Sequence, residues 1–68
     1  MTAWVTVNGQ PREVSAGTTV GQVVATVTEL AAGVAAAVNG EVVPRRCWPA
    51  TLVRDGDRVE VVTAVQGG

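Results

Sequence analysis

One cysteine, Cys47, and no histidine in a chain of 68 residues leave it no internal disulfide and no ordinary zinc site, the staples that domains this small commonly use. Side-chain packing must therefore hold the fold together. There is room for one core only, because a self-supporting domain needs roughly 50 residues or more. Apolar residues make up 47% of the chain, chiefly valine and alanine, while phenylalanine and tyrosine are absent. Small β-branched side chains in such numbers favour a sheet.

The pattern along the chain supplies the elements. From Ala3 to Val7, Ala3, Val5 and Val7 alternate with Trp4 and Thr6, the period of a half-buried strand. Asn8-Gly9 tolerates positive φ and turns the chain into a short return strand, Arg12 to Ser15, which Pro11 places at a sheet edge. Thr19 with Gln22 three residues later has the form of a capping box, so a helix begins there. Val20, Val23, Val24, Val27 and Leu30 recur at helical spacing and form one apolar stripe. Four valines and Gly21 are poor helix formers, so this helix depends on packing against a sheet.

Beyond Gly33, Val34, Ala36 and Val38 alternate up to a second hairpin signal, Asn39-Gly40, with Glu41 to Val43 as the partner strand. Pro44 stops it. Arg45 to Leu52 has no clean period and reads as an irregular or single-turn connection in which Trp48 or Leu52 plugs the core. Asp55-Gly56-Asp57 is a turn, and Arg58 to Val65 is the last strand, with Val59 and Val61 inside. Two strands, a helix and three further strands imply a parallel pair, because the helix is the one long crossover. The expected architecture is an α+β layer fold, a mixed sheet of four to five strands with the helix across one face.

A formal net charge of −1 gives no reason to expect nucleic acid or an acidic membrane surface as partner. No signal-peptide pattern opens the chain, and its apolar stretches fall short of the ~20 residues that cross a bilayer. The expectation is a cytoplasmic protein without a membrane anchor.

In this order, Val7-Asn8-Gly9, the threonine-capped valine helix, Val38-Asn39-Gly40, Val43-Pro44-Arg45 with Trp48, and Asp55-Gly56-Asp57-Arg58-Val59 ahead of Gly67-Gly68 resemble the ThiS family, the ubiquitin-like sulfur carriers of thiazole formation in thiamine biosynthesis. The likeness spans essentially the whole chain. It implies a β-grasp domain over residues 1–65, with the first and last strands parallel at the centre of the sheet, and a flexible tail over residues 66–68. It also implies that Gly68 is adenylated with ATP by a ThiF-like partner enzyme and converted to a thiocarboxylate by a donor such as a cysteine desulfurase persulfide. Thiazole synthase then takes the sulfur. The chain itself would bind no cofactor and no metal, and would be a cosubstrate rather than an enzyme.

The chemistry of the tail agrees with that role. An α-carboxyl group ionises with a pKa of about 3.5, so at neutral pH it is an anion without a leaving group. Adenylation supplies one, and a sulfur nucleophile can then attack. Gly67 and Gly68, without Cβ atoms, suit a narrow channel. Gln66 to Gly68 reach only about 10 Å when extended, so a partner must dock on the body beside the last strand. Val61-Val62 breaks the alternation, which places Val62 and Ala64 on the outer face beside Thr6; these three and Val65 are the expected partner-binding residues.

Other residues have plainer readings. A terminal Gly-Gly taken alone is a frayed end. Cys47 has no histidine or lysine in the chain to activate its thiol and reads as structural or incidental, Arg45 and Arg46 as solvated, and Asp55 and Asp57 as turn residues. Trp4 is either an edge cover or a contact. Rival functions are a sulfur carrier for molybdopterin or cysteine biosynthesis, a ubiquitin-like modifier or interaction module, and, more distantly, an RNA-binding β-grasp domain, against which the weak basic character counts.

Overall fold

The computed structural model describes residues 1–29 and 33–63. Its elements are β1 (Thr2–Val7), β2 (Gln10–Ser15), α1 (Val20–Val27), β3 (Val34–Val38), β4 (Glu41–Val43), a 3-10 helix (Arg45–Ala50) and β5 (Arg58–Thr63). The strands form one mixed sheet in the order β2-β1-β5-β3-β4. β1 and β5 run parallel at its centre and every other neighbouring pair is antiparallel. This is a mixed sheet within the expected four to five strands, and it has the β-grasp arrangement, with first and last strands parallel at the centre, that the resemblance implies.

Both hairpins turn on Asn-Gly, with φ of 52° at Asn8 and Asn39 and 83° and 86° at the glycines that follow. Two successive left-handed residues match the twist of the strands they join. β2 starts at Gln10, two residues before the expected Arg12, because the two-residue turn brings Gln10 directly opposite Val7. Pro11 thus lies within β2, which is an edge strand as expected.

The capping box at the start of α1 is complete: Gln22 N donates to Thr19 Oγ1 at 3.2 Å and Thr19 N to Gln22 Oε1 at 2.9 Å. Val20, Val23 and Val24 are buried. α1 ends at Val27, which is itself exposed, so the stripe's buried part within the helix is Val20, Val23 and Val24; Leu30 lies outside the described residues. Against those valines pack Val5 and Val7 from β1, Val59 and Val61 from β5, Ala36 from β3, and Trp48.

Of the two candidates in the irregular segment, Trp48 fills the core at 7% exposure and Leu52 stays 53% exposed. Val53 takes the inward place instead. The reason is a small ladder: Thr19 bridges Leu52, with Val20 N donating to Thr51 O at 2.8 Å and Val53 N to Thr18 O at 2.9 Å. Side chains alternate across such a bridge, so residue 52 points out and 53 in. The buried indole N–H donates to Val43 O at 2.8 Å, which satisfies its polar end.

Candidate functional site

β5 is the spine of the candidate site, because it carries the chain toward Gly68. Its alternation buries Val59 and Val61 and exposes Arg58, Glu60 and Val62. Register holds it on both sides: Thr6 and Val7 of β1 face Arg58 and Val59, and Val34 to Val38 of β3 face Thr63 back to Val59.

Two asparagines from the hairpin turns reach across to the same strand. Asn39 Oδ1 accepts from Arg58 N at 2.9 Å, while its Nδ2 donates to Asp57 Oδ1 at 2.9 Å. Asn8 Oδ1 accepts from Val61 N at 2.8 Å and Asn8 Nδ2 donates to Val61 O at 3.2 Å. Asp57 Oδ2 accepts from Arg54 N and Asp55 Oδ1 from Trp4 N, so the two carboxylates serve the turn and tie it to β1. The expectation that they are turn residues holds; their long-range partners were not foreseen.

On the face away from α1, Ala35 and Ala37 of β3 form the floor of a shallow apolar groove walled by Val42, Val62 and Glu60. Val62 is 63% and Val42 74% exposed, large values for valines this close together. Small residues on one strand between larger ones on its neighbours make the groove. Val62 lies on the outer face as expected, but Thr6 is not beside it: Thr6 is opposite Arg58, four residues earlier on β5. It lines a separate depression with Gly9, Arg58 and Glu60. The parallel register, which sequence pattern does not set, separates the two.

Trp4 is on the outer face of β1 and 55% exposed. Cys47 is half-buried in the 3-10 helix. Arg45 lies over the Trp48 ring at 5.5 Å from its centre, a cation–π contact that gives it a local partner. Among the described residues no group of three or more His, Cys, Asp or Glu is arranged to hold a metal ion. Gln66, Gly67 and Gly68, and with them Ala64 and Val65, lie outside the described residues.

The family model described as "ThiS family" matches residues 5–68, from β1 to the final glycine. The chain belongs to the ThiS family. A relative from Escherichia coli (strain K12), the sulfur carrier protein ThiS, is 34% identical over 61 residues, covering 90% of this chain and 92% of its own. A crystal structure of the thiamine biosynthesis protein ThiS from Geobacter metallireducens superposes with a TM-score of 0.75 at 35% identity, covering 96% of this chain and 99% of that one. The ThiS resemblance carried by the turns, the helix cap and the terminal glycines is therefore correct.

Asn8, Asn39 and Val42 are what sequence reasoning missed around β5. The Asn-Gly pairs signal only a turn. That the asparagines also bond β5 would have required knowing which strand passes beside each turn. Val42 was read as part of a brief strand, and the groove depends on register.

Proposed function

We propose that this ThiS-family chain is a sulfur carrier of thiamine biosynthesis that offers the carboxylate of Gly68 to partner enzymes and performs no catalysis of its own. The single observation that carries this is a family match running to the last residue, Gly68, on a body of matching fold.

The reaction follows from carboxylate chemistry. The Gly68 carboxylate attacks the α-phosphorus of ATP in an adenylating, ThiF-like enzyme, and pyrophosphate leaves. A sulfur nucleophile then attacks the acyl carbon and AMP leaves. With sulfide the product is the thiocarboxylate directly. With a persulfide donor, such as that of a cysteine desulfurase, a second thiol must attack the donor's sulfur, forming a disulfide and releasing the thiocarboxylate. Thiazole synthase receives the sulfur. ATP belongs to the adenylating partner, and the carrier binds no cofactor.

The groove of Ala35, Ala37, Val42 and Val62 is the proposed docking face. It adjoins the strand that leads to the tail, and its apolar floor with the acidic rim of Glu60 has the make-up of a small interface core. Thr6, on the same face but farther along, would touch only a partner that spans both depressions. Ala64 and Val65 continue the sequence toward Gln66 and Gly67, within reach of the same partner.

Intact-mass analysis of protein incubated with the adenylating enzyme, ATP and a sulfur donor tests the reading. One sulfur should replace one oxygen at the C-terminus. Larger conjugates on lysines of other proteins would instead mark a modifier, and an unchanged mass would leave the carrier role without support.

A further inference from the structure

In the proposed carrier reaction the chain end must reach a partner's site, and the Asn8 side chain bonds the described strand that leads toward it. The β1–β5 ladder is short. Thr6 N donates to Asp57 O and Asn8 N to Val59 O, both near 3.0 Å (3.0 and 2.9 Å), and after Asn8 the chain turns away at Gly9. A continuing parallel ladder would next supply a carbonyl to Val61 N and an N–H to Val61 O. The Asn8 side chain supplies both, its Oδ1 at 2.8 Å from Val61 N and its Nδ2 at 3.2 Å from Val61 O.

A carboxamide has the same donor and acceptor as a peptide group, so Asn8 adds one rung to β1 after the main chain has left. The turn itself does not demand it. Glycine meets the positive φ at no steric cost, and aspartate also suits such turns, yet neither presents an acceptor and a donor together. On its other side β5 is laddered to β3 as far as Thr63. Asn39 also grips β5, but at its start, through Arg58 N and Asp57. Asn8 grips it at Val61, two residues before Thr63, on the side where the β1 main chain has already turned away.

We propose that Asn8 is a positioning residue for the chemistry of the Gly68 carboxylate, fixing the course of β5 through Val61 so that the tail enters the partner's site in register. This rests on the carrier reading above. Because β3 still pairs with β5 from Val59 to Thr63, losing the Asn8 bonds would free only the β1 side of β5 at Val61, leave the groove of Ala35, Ala37, Val42 and Val62 in place, and lower the rate at which the docked tail reacts.

The test uses full-length protein with the adenylating enzyme. Asn8→Gly keeps the turn and deletes both bonds to Val61; Val24→Ala, in α1, serves as a control of comparable destabilisation far from the tail. Both are assayed where each is fully folded. Asn8→Gly should lower kcat for carrier conversion about tenfold with KM within about twofold, and speed hydrogen exchange at the Val61 amide, while Val24→Ala keeps wild-type kcat. A kcat for Asn8→Gly within about twofold of wild type would overturn the proposal, as would an equal fall in Val24→Ala or a change in KM alone. If Asn8→Gly does not fold, Asn8→Asp, which keeps the acceptor and loses the donor, is judged by the same measures. Wild-type protein that never gains sulfur would overturn the carrier reading and this proposal with it; wild-type conversion beside an unaffected variant overturns the positioning role alone.

Discussion

Trp48 shows how much this core asks of one side chain. It is the one buried aromatic among the described residues, set among valines and alanines, with its indole N–H satisfied by Val43 O. Trp48→Phe should lose that bond and leave a void among the core valines, lowering unfolding free energy by about 2 kcal/mol. Urea denaturation followed by circular dichroism would show it as a lower midpoint, and an unchanged midpoint would mean the bond and the fit contribute little. The sequence made Trp48 legible as a plug because nothing else in its segment is as large. It left Leu52 as an equal candidate, because a segment without a period cannot say which side faces in. The decision was made by the bridge between Thr19 and Leu52, a contact between residues far apart in the chain. Asn8 and Asn39 teach the same lesson: their left-handed backbone was readable from Asn-Gly, while their bonds to Val61 and Arg58 were not.

At the scale of elements, α1 is a helix made of poor helix formers, held by what it covers. Gly21 sits in its first turn, and a Cβ added there would meet the Trp48 Cβ at 3.5 Å, ordinary contact. Gly21→Ala should therefore stabilise the protein by about 0.5–1 kcal/mol through a less free unfolded chain; a loss of stability would show the helix and Trp48 to be closer than this geometry allows. The outer face of β5 offers the opposite kind of test. Val62→Glu removes an exposed apolar wall from the groove, so stability should change by no more than about 0.5 kcal/mol. KM for the adenylating enzyme should rise about tenfold, the effect of losing an interface residue worth more than 1 kcal/mol. An unaltered KM would move docking elsewhere. Alternation made β1, β3 and β5 legible with their inward sets. The groove was not legible, because Ala37 meets Glu60 on one side and Val42 on the other only once register is fixed. The separation of Thr6 from Val62 has the same origin.

For the whole molecule, body and chain end have separate duties on the proposed reading. Deleting Gly68, or fusing a tag after it, should leave the thermal midpoint within about 1–2 °C, since surface changes of this kind shift stability by only a few tenths of a kcal/mol. Sulfur acceptance should vanish. A tagged, uncleaved protein that still supported thiazole formation would contradict the proposed chemistry outright. The central parallel pair has a mechanical side as well. Because β5 lies between β1 and β3, a pull applied to the chain's end runs along the strand, and β5 can slip only by shearing the bonds to both neighbours together. An edge strand pulled the same way would be held by one neighbour only. On the proposed reading, the handle that partner enzymes grasp is thus anchored to two strands rather than one.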